Sequence, residues 1–132
     1  MVHFENDYRF GLANQRKITP LLQNYFGSIT HDEGRWAKYD YYNDTCVFEL
    51  KTRKNTKNKY PTTLMTCNKV VESETRDIIF LFCYTDCLCY IKYDKELFDT
   101  FEKQMYSRIK EEFDEKEYYF IPIDKLTTIT TF

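Results

Sequence analysis

Two apolar runs in the middle of the chain constrain its fold most strongly. Residues 77–84 read DIIFLFCY and residues 88–93 read LCYIKY, and short runs dominated by Ile, Leu, Phe and Tyr are typical of β-strands. Thr85, Asp86 and Cys87 lie between them as a connecting turn. The pattern therefore predicts a β-hairpin, and with it a fold built on a β-sheet.

Further strands are predicted on both sides of this hairpin. Residues 35–42 and 45–52 are rich in aromatic and β-branched side chains and are separated by Asn43-Asp44, which predicts an N-terminal hairpin. Residues 118–123, YYFIPI, predict a last short strand in which Pro122 marks a sheet edge or a strand end.

Three segments carry apolar residues at the spacing of a helix face. The first runs from about Asn6 to Phe26 and ends at Gly27. The second covers residues 61–74, where a strand is the alternative, and the third covers residues 95–116. Together with the strands, these segments predict an α/β domain in which helices flank a central mixed β-sheet.

The composition fits one folded, soluble domain over residues 1–132. Hydrophobic residues make up 42% of the chain and include 12 Tyr and 11 Phe, so the disorder signature of low hydrophobicity with high net charge is missing. The longest apolar stretch is far shorter than the roughly 20 residues of a membrane span, and the N-terminus lacks a secretion-signal pattern. We therefore expect no membrane association.

The cysteines indicate a compartment. Their odd number and irregular spacing do not fit a disulfide framework, which predicts an intracellular, reducing environment, the cytoplasm or the nucleus. A zinc site would need paired Cys or Cys/His clusters, so small buried hydrophobic side chains are the favoured interpretation. The five are Cys46, Cys67, Cys83, Cys87 and Cys89.

The N-terminal hairpin collects polar side chains on one face. If Asn43 and Asp44 form its two-residue loop, Asp40 lies opposite Val47. Because side chains alternate along a strand, one face then carries Asp40, Val47, Glu49 and Lys51. The other face carries Tyr39, Tyr41, Cys46, Phe48 and Leu50.

Asp40 and Glu49 are diagonal neighbours in this register, with Cβ atoms roughly 5–8 Å apart, so both carboxylates reach one cation. Two carboxylates completed by water suit a hard ion, Mg²⁺ or Mn²⁺. Lys51 falls beside them, where its ammonium orients a water or stabilises charge on a phosphoryl group. Without a metal, repulsion between the carboxylates predicts a raised pKa for at least one of them.

This arrangement resembles the PD-(D/E)XK nucleases, which share the restriction-endonuclease-like fold. Their motif is an aspartate at the end of one strand and a Glu/Asp-x-Lys on the next strand of the hairpin, with a helix before it. Asp40 matches the aspartate, and Glu49-Leu50-Lys51 matches Glu-x-Lys. The resemblance covers most of the chain as architecture, although the motif itself has only three residues. It implies Asp40 and Glu49 as metal ligands and Lys51 as a catalytic residue.

Many members of that family place a glutamate in the first helix, where this chain has Asn14 and Gln15. The resemblance implies Gln15 as a further catalytic residue that contributes an amide oxygen or holds a water. A solvated helix residue is the alternative interpretation of Gln15.

Cations follow the motif directly. Residues 51–59, KTRKNTKNK, contain five cations and no acid, which indicates either contact with a nucleic-acid backbone or a solvated loop. Tyr60 would stack on a base, with packing as the alternative, and Lys69 would face the carboxylates, with an exposed lysine as the alternative. The candidate nucleic-acid-binding residues are Arg53, Lys54, Lys57, Lys59, Tyr60 and Lys69.

The sequence therefore predicts a Mg²⁺- or Mn²⁺-dependent nuclease that hydrolyses phosphodiester bonds in DNA. Its net charge of −2 gives no global attraction for a polyanion, so binding depends on the local basic segment. Cutting both strands with one site per subunit would require a homodimer. The alternatives are an inactive nuclease-like module that binds nucleic acid or serves in an assembly, and a structural or protein-interaction domain.

Overall fold

Three layers of secondary structure make up the fold. The computed structural model describes residues 2–34, 36–106 and 115–132, with the side chains of the first helix described at residue 11 and from residue 13 onward. In chain order the elements are α1 (Val2–Phe26), β1 (Thr30–His31), β2 (Tyr41–Tyr42), β3 (Cys46–Thr52), β4 (Thr62–Thr66), β5 (Asp77–Cys83), β6 (Cys87–Lys92), α2 (Lys95–Phe98), β7 (Glu102–Tyr106), β8 (Lys116–Pro122) and β9 (Thr127–Thr131).

The central layer is a six-stranded mixed sheet in the order β1-β2-β3-β5-β6-β9. Strands β3 and β5 are parallel, and every other neighbouring pair is antiparallel. The β5–β6 hairpin is the one that the two apolar runs predict, and its residues from Ile78 to Cys83 are all buried. The α/β class and the mixed sheet are thus confirmed.

Helix α1 covers one face of this sheet. Ile18 and Leu22 are fully buried and pack in one cluster with Tyr41, Phe48 and Leu81. The helix begins at Val2 rather than near Asn6, and it ends as predicted. Gly27 has a φ of +83° and donates its amide to the Gln23 carbonyl at 2.9 Å, a left-handed C-terminal position that favours glycine.

Strands cover the opposite face, where the sequence predicts helices. The second sheet has the order β4-β8-β7 and is antiparallel throughout. Met65 and Ile121 of this sheet are fully buried against Val47, Phe80 and Phe82 of the central sheet. The core therefore has two parts, one between α1 and the central sheet and one between the two sheets.

The predicted helix over residues 61–74 is wrong. Residues Thr62–Thr66 form β4, in which Thr63 and Met65 are buried while their neighbours are half-buried. Three threonines in five residues favour a strand because β-branched side chains fit a pleated surface better than a helix.

The predicted long helix over residues 95–116 is also wrong where it can be compared. Asp94 caps α2 by accepting the Leu97 amide at 3.1 Å, but the helix ends at Phe98. Glu102–Tyr106 form β7 and pair with β8, so partner-strand hydrogen bonds override the local helical spacing. Residues 107–114 of that prediction lie outside the described residues.

The N-terminal hairpin forms with a register two residues away from the predicted one. Val47 pairs with Tyr42 rather than with Asp40. The Asn43 side chain accepts the amides of Thr45 and Cys46 at 3.0 and 2.7 Å, which moves the turn one residue along the chain. Because the shift is an even number of residues, the faces of β3 are unchanged.

Tyr39 is the exception to the predicted faces. It packs with Val47 between the sheets rather than with Tyr41 under α1. Strand β2 begins only at Tyr41, so the strict alternation of a strand does not extend back to Tyr39.

Two strands, β8 and β9, form the C-terminal part of the chain. Strand β8 confirms the predicted C-terminal strand, with Pro122 as its final residue, while β9 was not predicted. Cys83, Cys87 and Cys89 are buried, as predicted, whereas Cys46 and Cys67 are only half-buried, and all five cysteines are free thiols. No helix within the described part of the chain is long and apolar enough to cross a membrane.

The packing of α1 leads to a stability prediction. Leu22→Ala should lower the free energy of unfolding by about 2–5 kcal/mol, because it leaves a cavity under a fully buried side chain. Gln23→Ala, at an exposed position on the same helix, should change it by less than about 0.5 kcal/mol. Urea unfolding measures both variants, and equal midpoints would contradict the described packing of α1.

Candidate active site

A buried carboxylate lies at the centre of the site. Glu49 is in the middle of β3, paired with Phe80 of β5, and is only 5% exposed. Its side chain shares the face of Val47, which packs between the two sheets. An ionised carboxylate in such a place needs partners, because its desolvation costs several kcal/mol.

Two lysines supply those partners. Lys51 Nζ lies 3.5 Å from Glu49 Oε2, and Lys69 Nζ lies 3.2 Å from the same oxygen. Lys51 comes from the same strand two residues on. Lys69 comes from the short helical turn Cys67–Lys69 that follows β4, and it also donates to the Lys38 carbonyl at 2.9 Å. Of the two interpretations of Lys69, the structure favours the one that places it at the carboxylates.

Asp40 is bonded to both neighbours of Glu49. Its amide donates to the Phe48 carbonyl at 2.9 Å, and its Oδ2 accepts the Leu50 amide at 2.8 Å. These two bonds fix the Asp40 carboxylate beside β3. The sequence therefore predicted the neighbourhood of Asp40, Glu49 and Lys51 correctly despite the wrong register.

The site perturbs the acidity of its members. Burial raises the pKa of Glu49, and the charge of Asp40 raises it further, while Lys51 and Lys69 act in the opposite direction. A raised carboxylate pKa is what the sequence predicts, although burial contributes more than the expected repulsion. Burial also lowers the pKa of Lys51, against the attraction of Glu49.

Tyr39, for which the sequence predicts no functional role, contacts the turn that carries Lys69. Its hydroxyl donates to the Lys69 carbonyl at 2.6 Å, and the side chain is buried. Burial, with the charges of Glu74 and Glu49, raises its pKa to about 12, so the hydroxyl keeps its proton at neutral pH. The assumption of strict alternation through β2 concealed this contact.

Gln15 is not joined to this group. Helix α1 packs on the opposite face of the sheet, where Asn14 donates to Thr52 Oγ1 at 3.4 Å. None of the hydrogen bonds found within the described residues connects the Gln15 side chain to Asp40 or Glu49, and its carbonyl accepts the Thr19 hydroxyl. Nor do residues 2–34, 36–106 and 115–132 contain a group of three or more His, Cys, Asp or Glu side chains able to hold a metal. The candidate metal ligands are therefore the two carboxylates alone.

The basic segment, residues 51–59, leaves the sheet at the end of β3. Thr52, the last residue of that strand, lies roughly 10 Å along the strand from Glu49 at 3.3 Å per residue. Lys54, Lys59 and Tyr60 are exposed, and Lys59 Nζ lies 5.6 Å from the centre of the Tyr60 ring. Lys57 is half-buried, and its amide donates to Asp86 Oδ1 at 3.0 Å.

Arg53 differs from these lysines. Its guanidinium donates to the Leu64 carbonyl at 2.7 Å and to Thr63 Oγ1 at 3.4 Å, and it lies 5.8 Å from the Phe82 ring centre. These contacts join the end of β3 to β4. A structural role between the two sheets accounts for Arg53 directly.

Comparison of the chain with family models, with curated proteins and with solved structures gave no match.

The charges around Glu49 predict how its pKa responds to substitution. Asp40→Asn should lower the pKa of Glu49, because it removes a negative charge that favours the protonated form. Lys69→Met should raise it, because it removes a cation that favours the carboxylate. Carboxyl-carbon NMR titration measures both shifts. Shifts in the same direction for the two variants would contradict the described charge arrangement.

The contacts of Arg53 predict a structural effect. Arg53→Ala should lower the free energy of unfolding by about 1–3 kcal/mol through the loss of its charged hydrogen bonds. Lys59→Ala, at an exposed position in the same basic segment, serves as the matched control and should leave stability unchanged. If urea unfolding finds both variants as stable as the wild type, Arg53 does not tie the sheets together.

Proposed function

We propose that the protein is a metal-dependent nuclease that hydrolyses phosphodiester bonds in DNA and has a restriction-endonuclease-like core. The observation that carries this proposal is the buried carboxylate of Glu49, held between the ammonium groups of Lys51 and Lys69 and adjacent to Asp40. Perturbed ionisable groups gathered at one place are typical of functional sites. A purely structural sheet would be served as well by an apolar residue at this position.

Element order supports the same proposal. Helix α1 precedes the hairpin, packs against it, and leaves the Glu49 face directed away from the helix. Strand β3, which carries Glu49-Leu50-Lys51, lies in the interior of a mixed sheet beside the parallel strand β5. Asp40, Glu49 and Lys51, which carry the PD-(D/E)XK resemblance, thus lie close together at one strand of this sheet.

Asp40 and Glu49 would hold Mg²⁺ or Mn²⁺, since their carboxylate oxygens are the hard ligands that these ions prefer. The bound ion would supply Lewis-acid polarisation of the phosphoryl oxygens. Glu49 binds a cation only when deprotonated, so its raised pKa makes cation affinity increase with pH.

The lysines act on the water and the phosphate. Lys51 releases its proton more easily than an exposed lysine because burial lowers its pKa, which suits it to orient and help deprotonate the attacking water. Lys69, whose Nζ lies 3.2 Å from Glu49 Oε2, would be available to a substrate phosphate once a cation neutralised Glu49. The exposed lysines of residues 54–59, which follow the end of β3, hold the nucleic-acid backbone away from the scissile bond.

The second candidate function is an inactive nuclease-like module that binds nucleic acid or serves in an assembly. One observation favours it: both ammonium groups already neutralise Glu49 Oε2, as a cation would. Calorimetric titration with Mn²⁺ distinguishes the two functions. Binding that Asp40→Asn abolishes supports the nuclease, and no binding at all supports the inactive module.

Cleavage of DNA in the presence of Mn²⁺ tests the proposed activity. Asp40→Asn keeps an oxygen for the Leu50 amide and Lys51→Met keeps the length of the side chain, so both variants should fold while cleavage falls at least 100-fold, as for loss of a general acid–base group. Lys92→Met, at an exposed lysine of β6, is the matched control and should cleave normally. Full activity in either site variant would refute the assigned roles.

A further inference from the structure

A cleft opens beside the carboxylate pair along the N-terminal hairpin. Its volume is about 200 Å³, and it is lined by Asp32, Tyr39, Tyr41, Tyr42, Val47 and Arg76. Tyr42 is the most accessible aromatic wall at 40% exposed. None of the residues that line the cleft is a metal ligand or a catalytic residue in the proposed function.

The pairing of the hairpin fixes the position of this cleft. Tyr42 pairs with Val47, and both line the cleft. Asp40 and Glu49 are each two residues further along their strands, which is roughly 7 Å at 3.3 Å per residue. Tyr39 lines the cleft and also bonds to the Lys69 carbonyl. A group in the cleft would therefore be adjacent to whatever occupies the carboxylate site.

The walls of the cleft suit a flat, polar ring. Tyrosine side chains provide aromatic surface, Arg76 provides donors and Asp32 provides an acceptor. Glu74 holds the Arg76 guanidinium in place through its Nε and Nη2 at 2.9 and 3.0 Å, which uses two of its five N–H groups. The remaining donors are thus presented on a fixed guanidinium.

The size of the cleft limits its occupant. It is smaller than the roughly 300–1,000 Å³ of pockets that enclose drug-sized ligands, so it takes one ring system rather than a whole nucleotide. A nucleobase presents both hydrogen-bond donors and acceptors on its edges and an aromatic face for stacking.

We infer that this cleft binds one unstacked nucleobase of the substrate strand and so positions the adjoining phosphodiester at Asp40 and Glu49. The inference rests on the proposed function and extends it to the substrate. A base must be free of its duplex partner to enter a cleft of this kind, so the preferred substrate has a single-stranded or frayed nucleotide next to the scissile bond.

Binding of the four deoxynucleoside 5′-monophosphates in EDTA tests the cleft without any cleavage. NMR titration up to millimolar concentration should show binding to the wild-type protein that is weaker by about 5- to 150-fold in Tyr42→Ala, the range expected for one lost base–aromatic stack. Tyr42→Phe keeps the ring and should bind like the wild type. Tyr25→Ala removes a tyrosine of similar exposure (46%) on α1 and should have no effect.

Deoxyribose 5-phosphate separates recognition of the base from recognition of the phosphate. It should bind far more weakly than the monophosphates. Equal binding of deoxyribose 5-phosphate, equal binding by Tyr42→Ala, or no binding of any monophosphate would overturn the inference.

The outcome is independent of the test for nuclease activity. If the protein cleaves DNA but binds no monophosphate, the base-binding role of the cleft is refuted and the proposed function stands. If the protein binds the base through Tyr42 but cleaves nothing, the cleft stands as a nucleotide-binding site and the proposed nuclease activity is refuted.

Discussion

The buried charge of Glu49 is the constraint on which the rest of the site depends. A carboxylate that is 5% exposed requires cations, and the two it has come from different layers of the fold. Lys51 follows on the same strand, whereas Lys69 arrives through the turn after β4 of the second sheet. Leaving such a charge without a partner typically costs about 3–5 kcal/mol, against about 5–15 kcal/mol for the stability of a whole domain. The second sheet and the site are therefore energetically linked.

The contribution of Glu49 to folding stability depends on pH. Because the pKa of Glu49 is raised in the folded protein, the folded state binds the proton more tightly than the unfolded chain does. The contribution of Glu49 to stability is present at low pH and is lost as pH rises through its folded pKa. A site that loses stability on ionising gains from any cation that binds the ionised carboxylate. The ionised Glu49 carboxylate, which lowers the stability of the metal-free protein, is the group that would bind a divalent ion.

Local pattern was sufficient for some parts of this structure and insufficient for others. The β5–β6 hairpin and the end of α1 at Gly27 depend on residues close together in sequence, and both were predicted. The faces of β3 were predicted because an error of two residues in register preserves side-chain alternation. Strand β4 was missed because its partner β8 lies far away in the chain. Strand β7 was missed although its partner β8 is the next strand, because the apolar residues of this region recur at helical spacing. Lys69 kept two interpretations because the turn that carries it meets Glu49 only once β4 is placed, whereas Tyr39 was missed because side-chain alternation does not extend back from β2.

The proposed chemistry depends on Asp40 and Glu49 forming a site for a divalent cation, at which the ion would replace Lys69 beside Glu49 Oε2. A crystal soaked in Mn²⁺ and measured near the manganese absorption edge tests it most directly. We expect an anomalous peak between the two carboxylates, with Lys69 moved away from Glu49 Oε2. A peak-free site in which Lys51 and Lys69 keep their contacts with Glu49 at full Mn²⁺ saturation would contradict it.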